Sequence, residues 1–85
     1  MKPMRATVLW NEEPEQKLAN YWLSEPGRGG ITAASNWIDH ALRSNPLIGE
    51  LQGEQFYLRR DPLEIWYVYS PLDCKVTVVE VNLVD

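Results

Sequence analysis

The chain is poor in the residues that most readily betray a chemistry. Cys74 is its single cysteine and His40 its single histidine. One thiol excludes an internal disulfide framework and a multi-cysteine metal site. Basic residues are also scarce: eight Lys and Arg stand against twelve Asp and Glu, a net charge of −4. Nucleic-acid binders draw most of their affinity from cationic side chains on phosphates. Here Lys2, Arg5, Lys17, Arg28, Arg43, Arg59, Arg60 and Lys75 are scattered, and only Arg59 and Arg60 are adjacent. The composition therefore argues against a nucleic-acid partner and for a protein or small molecule, although folding could still gather a basic patch. No run approaches the roughly 18 apolar residues of a membrane helix. The first ten residues hold Lys2, Pro3 and Arg5 but no apolar core of signal-peptide length. The expectation is a cytoplasmic protein without a membrane partner.

What is present is a compact supply of apolar and aromatic side chains. At 85 residues, residues 1–85 form a single domain with no room for a second core. Hydrophobic residues make up 45%, including four Trp, which is enough to fold on. So small a core is marginal, so docking on a partner or on another copy of itself (a homo-oligomer) is expected.

Ala6 to Trp10 alternates as a strand does. Asn11 is a good N-cap, Glu12, Glu13 and Glu15 suit a helix N-terminus, and Pro14 is tolerated in a first turn. That helix runs to about Ser24, with Leu18, Ala19, Trp22 and Leu23 on its apolar face. Glu25-Pro26-Gly27-Arg28-Gly29-Gly30 reads as a turn, and Thr32 as the cap of a second helix. Ile31, Ala34, Ile38, Ala41 and Leu42 form the stripe of that helix, which Asn45-Pro46 stops. Leu47 to Gly53 reads as a loop. Three strands follow, over Gln55–Arg60, Glu64–Ser70 and Lys75–Val84. They are divided by a type I turn at Asp61-Pro62 and a turn at Ser70-Pro71-Leu72-Asp73. The fold class is α+β: a two-helix hairpin packed on an antiparallel sheet, in the order β-α-α-β-β-β, with the first strand pairing with later ones.

That order, in this length, resembles the RelE/ParE superfamily of bacterial toxins from toxin–antitoxin systems, to which plasmid-stabilisation proteins are related. Ile31, Ala34, Ile38 and Leu42, then Asn45-Pro46 and Gly49, look like the family's second helix, its terminating proline and a loop glycine. Asp61-Pro62-Leu63 with Ile65, Tyr67 and Val68 looks like its central hairpin, and Val76 to Val84 like its closing strand. The resemblance covers essentially the whole chain. It implies a cognate antitoxin peptide as partner and, in some members, a ribosome or gyrase as target. RNA-cleaving members carry basic residues after the second helix, where this chain reads Gly49-Glu50-Leu51-Gln52-Gly53-Glu54-Gln55. Their arginine near the start of the second strand falls at about Gln55 or Phe56. The C-terminal stretch Glu80-Val81-Asn82-Leu83-Val84-Asp85 is likewise without Lys or Arg. The implied function is thus binding of an antitoxin and of a protein target. The alternatives are a ribosome-dependent endoribonuclease and a non-toxic interaction module that kept the fold.

Strand alternation divides the central hairpin into two faces. Phe56, Leu58, Ile65, Tyr67 and Tyr69 should cover the helices. Tyr57, Arg59, Glu64, Trp66 and Val68 should point away, extended by Val78, Glu80 and Asn82 of the last strand. Tyr57, Arg59 and Trp66 are the candidate partner-binding residues, because aromatic and arginine side chains dominate binding hot spots. Arg59 should lie over Trp66 in a cation–π contact. Were the chain a nuclease, Arg59 and Arg60 would neutralise phosphate, and Tyr67 or Tyr57 would assist proton transfer. Other features read as structural. His40 has no nucleophile or acid set by spacing, Cys74 has nothing to lower its pKa, and Gly27-Arg28-Gly29-Gly30 follows no strand. The glutamates of the first helix suit its dipole. No metal and no cofactor are implied.

Overall fold

A computed structural model describes residues 5–24 and 28–84, with only the backbone of Arg28. The elements are β1 (Thr7–Trp10), α1 (Glu12–Ser24), α2 (Arg28–Ser44), β2 (Glu50–Gln52), β3 (Gln55–Arg60), β4 (Leu63–Ser70) and β5 (Lys75–Leu83). They form a five-stranded sheet in the order β1-β5-β4-β3-β2. The α+β architecture is the one that periodicity implies.

Several features differ from the sequence reading, three of them in the layout of the elements. The segment read as a loop contains a short strand, β2, that pairs antiparallel with β3, Glu50 opposite Tyr57 and Gln52 opposite Gln55. The intervening turn places Gly53 at φ 65°, where a side chain would be strained. Second, the sheet is mixed. β1 pairs with β5 in parallel, Thr7 opposite Lys75 and Trp10 opposite Val78, while the other pairings are antiparallel. Nothing in local pattern reports strand direction, because side-chain alternation is the same in both. Third, α2 begins at Arg28, so Gly29 and Gly30 lie in its first turn, not in a loop. Thr32 is not a cap; its hydroxyl accepts a hydrogen bond from Trp22 Nε1 at 2.8 Å. Of the turn expected there, Glu25, Pro26 and Gly27 lie outside the described residues.

The core joins α2 to the sheet. Ile31, Ala34, Ile38 and Leu42 meet Leu63, Ile65, Tyr67, Val76, Val78 and Val81 in one buried cluster, with Ala6 and Val8. Spacing along α2 explains the first set, since three- and four-residue steps keep one side of a helix inward. In α1 the inward set is Pro14, Leu18 and Tyr21, not the Leu18-Ala19-Trp22-Leu23 face. Trp22 and Leu23 are exposed, lining with Leu18, Ala19, Ile31 and Ser35 a shallow groove between the helices. Asn11 does start this helix, its carbonyl accepting from the Glu15 amide at 3.0 Å. The β3–β4 turn also differs from a type I turn, because the Asp61-Pro62 peptide is cis.

β5 carries a bulge. Trp66 faces Glu80, but the next residue of β4, Tyr67, faces Val78, so Val79 is the extra residue. The bulge reverses the inward phase: Val76 and Val78 point inward before it, and Val81 after it. Strict alternation had put Val78 outward with Glu80 and Asn82. One inserted residue sends it to the core.

Candidate functional site

The face of the sheet opposite the core is where the expected partner-binding residues fall. β3 and β4 pair with Tyr57 opposite Trp66, Leu58 opposite Ile65 and Arg59 opposite Glu64. Ile65 is buried, so Glu64 and Trp66, its neighbours in β4, point the other way. Tyr57, Arg59 and Trp66 therefore share one face. The Tyr57 and Trp66 rings pack against each other with centroids 5.0 Å apart and planes tilted by 57°. Both residues are half-buried. The Tyr57 hydroxyl donates to Glu64 Oε1 at 3.2 Å, and partial burial together with that carboxylate raises its pKa. Register places Glu50 beside Tyr57 and Glu80 beside Trp66, so acidic residues flank the aromatic pair on both sides. Gln55, Trp66, Val79 and Glu80 line a shallow cleft of about 420 Å³ there.

Arg59 does not lie over Trp66. Its Nε donates to Asp61 Oδ1 at 2.7 Å, and that bond raises its pKa. A carboxylate two residues away offers a charge-assisted hydrogen bond, which outcompetes the weaker attraction of an indole face. The cation–π contact belongs instead to Arg60, whose guanidinium sits 4.6 Å from the Trp37 ring centroid on α2.

Of the residues named for a nuclease, Tyr57 and Arg59 share a face, but Arg60 and Tyr67 do not join them. Arg59 lies on the outer face and is tied to Asp61, whereas Arg60 points to the helix side. Tyr67 is fully buried and stacked on Phe56, centroids 5.1 Å apart. Its hydroxyl donates to the Pro46 carbonyl and accepts from the Gly49 amide, both at 2.9 Å. Burial pushes its pKa up. This tyrosine anchors the chain between α2 and β2. Gly49 is required beside it, because a Cβ there would stand 2.7 Å from the Tyr67 hydroxyl and 2.8 Å from the Tyr57 carbonyl oxygen.

The residues read as structural have the following surroundings. His40 is exposed, and its carbonyl accepts from Ser44. Cys74 occupies a turn at φ 49°, its thiol 3.8 Å from the Pro71 carbonyl. It borders a separate cleft of about 290 Å³ whose lining includes Arg5, Ser44, Pro46 and Tyr69. Among the described residues no group of three His, Cys, Asp or Glu converges to hold a metal, and no helix is long and apolar enough to cross a membrane.

Glu50, Gln55 and Val79 were not among the residues placed on this face from sequence. A signal for Glu50 existed in the hairpin spacing Glu50-Leu51-Gln52-Gly53-Glu54-Gln55, with a glycine between two short runs. Glu80 already fell on this face by alternation, and the pairing sets it opposite Trp66.

No family model and no curated protein matches this sequence. Solved structures do match its shape. A chain of the toxin–antitoxin complex RelBE2 from Mycobacterium tuberculosis superposes with a TM-score of 0.76 at 20% identity, covering 96% of this chain and 94% of that one. A mutant of the E. coli toxin RelE in the free state gives 0.68 at 15% identity, covering 94% and 84%. The intact E. coli RelBE toxin–antitoxin complex gives 0.65 at 15% identity, covering 94% and 98%. Element order, sheet and near-complete coverage agree, and this chain has the fold of the RelE-type toxins.

Proposed function

We propose that this protein is the toxin-side member of a toxin–antitoxin pair and acts by binding: to a cognate antitoxin segment and to a protein target. Tyr57, Arg59 and Trp66 are the residues assigned to partner binding, and the cytoplasm is the compartment. The observation that carries the reading is the aromatic pair Tyr57–Trp66, half-buried on the sheet face away from the core and flanked by acids. An aromatic surface of this kind offsets the ordering entropy of an otherwise disordered segment laid across it. Two of the solved structures of this fold are toxin–antitoxin complexes, which supports an antitoxin as partner.

Against RNA cleavage stands the distribution of charge. Phosphoryl transfer requires cations preorganised around the phosphate. Arg59 is paired with Asp61, Arg60 lies on the other side of the sheet, and the Tyr67 hydroxyl is committed to backbone groups. The experiment has two arms. The genomic neighbourhood is searched for a small adjacent reading frame, which is co-expressed with the protein, and the two products are expected to co-purify. Translating ribosomes are then incubated with the protein alone, and mRNA is expected to stay intact. Cleavage abolished by Arg59→Ala would replace this reading with the endoribonuclease one.

A further inference from the structure

On the outer face of the sheet, charges of opposite sign are unequally matched. Lys17 of α1 reaches Glu80 Oε1 at 2.8 Å and Asn82 Oδ1 at 2.9 Å. Arg59 is held by Asp61. Neither Glu50, beside Tyr57 across the β2–β3 pairing, nor Glu64, two residues from Trp66 in β4, has a cation within ion-pairing distance among the described residues, although Arg59 is the cross-strand neighbour of Glu64 and feels its charge. Glu64 accepts only from the Tyr57 hydroxyl, and Glu50 only a long 3.4 Å contact from Gln52. Glu54 adds a further acid at the β2–β3 turn, exposed. The aromatic pair is thus bordered by two carboxylates, Glu50 and Glu64, that make no direct ion pair among the described residues.

An indole or phenol ring attracts a cation to its face, and a carboxylate beside the ring adds a point charge for the same cation. Guanidinium is the group that uses both, since it stacks flat on a ring while its edge donates to a carboxylate. We infer that the face formed by Tyr57, Trp66, Glu50 and Glu64 docks an extended, arginine-bearing segment of its partner protein, one arginine stacking on the aromatic pair and donating to the flanking carboxylates. The inference rests on the proposed binding role of this face and adds the partner's charge. Charge complementarity selects this occupant: Lys17 is paired with Glu80 and Arg59 with Asp61, whereas Glu50, Glu54 and Glu64 make no direct ion pair among the described residues, so the face has acids to spare. An acidic segment or a phosphate backbone would meet Glu50, Glu54 and Glu64 and be repelled.

The test uses the whole protein and three synthetic hexapeptides that alternate Val with Arg, Gln or Glu. Binding is followed by calorimetry and by the Trp66 indole N–H resonance. The Arg peptide is expected to bind and shift that resonance, with the Gln peptide about tenfold weaker or more. The Glu peptide should give no shift. Glu50→Gln combined with Glu64→Gln should weaken the Arg peptide by about three- to tenfold, and rising salt should do the same. Trp66→Phe, which keeps a ring in the face, serves as the folded control and should retain part of the affinity. If the Arg and Gln peptides bind alike but both need Trp66, the charge inference is overturned while the binding role stands. If Arg binding is indifferent to Trp66→Phe and Trp66→Ala alike, the face is not a docking surface and both fall. No binding of the Arg peptide, or preferential binding of a single-stranded RNA oligonucleotide that shifts the same indole resonance, also overturns the inference.

Discussion

The two faces of one sheet are built from the same strands and present opposite chemistry. On the inner face Leu63, Ile65, Tyr67, Val76, Val78 and Val81 are all inaccessible to solvent. The Tyr67 hydroxyl is answered by Pro46 and Gly49, and no buried side-chain polar atom among the described residues lacks a partner. On the outer face the aromatic pair is half-covered, and Glu50 and Glu64 keep unused acceptor capacity. Burial without a partner is costly on the first face, whereas on the second water supplies the missing contacts until something displaces it. The inner face spends its chemistry on the fold, and the outer face keeps its chemistry free.

Substitutions sharpen that contrast, and the largest effect belongs to the core. Ile38→Ala removes a side chain with no exposure, in the middle of the α2 stripe. It should cost about 2–5 kcal/mol by urea unfolding, enough to leave so small a domain largely unfolded. Next comes the joint between α2 and β2. Gly49→Ala would press a methyl group on the Tyr67 hydroxyl and the Tyr57 backbone, and Tyr67→Phe would leave the Pro46 carbonyl and the Gly49 amide unanswered. Each is expected to lower stability by about 1–3 kcal/mol. A near-neutral Tyr67→Phe would show that water reaches this hydroxyl and that the inner face is less closed than described.

Trp66→Ala should tell the two faces apart. Binding of the partner segment is expected to weaken by about 2 kcal/mol, with the melting transition changed far less than by Ile38→Ala. If instead it unfolds the domain and leaves no separable binding defect, Trp66 belongs with the core.

The smallest effect is the Lys17–Glu80 pair. The hydrogen bond from Lys17 lowers the Glu80 pKa from its ordinary 4.5, and the same bond raises Lys17 from 10.5. A lowered carboxylate contributes stability above its unfolded pKa and loses it as pH falls through the folded one. A raised amine contributes below its unfolded pKa and loses it as pH rises through the folded one. The contribution is therefore full across neutral pH and fades at either end. Both groups are substantially solvated, so screening holds it to about 0.5 kcal/mol. Unfolding of Lys17→Met and Glu80→Gln, singly and together, measured at neutral and acid pH, should show coupling only at the former.

Local pattern determined much of this molecule. The α2 stripe at Ile31, Ala34, Ile38 and Leu42, the Asn11 start of α1 and the β3–β4 register all follow from interactions within a few residues, which composition and spacing report directly. The sharing of one face by Tyr57, Arg59 and Trp66 follows from the two-residue period of a strand and the length of one turn. Tertiary structure decided the rest. The parallel pairing of β1 with β5, the choice of Pro14, Leu18 and Tyr21 as the inner side of α1, and the capture of Arg59 by Asp61 each settle a competition between near-equal local options. So does the bulge at Val79, which returns Val78 to the core and leaves Glu80 beside Trp66. Periodicity holds only while the ladder stays in step, and one unpaired residue reverses every side chain beyond it.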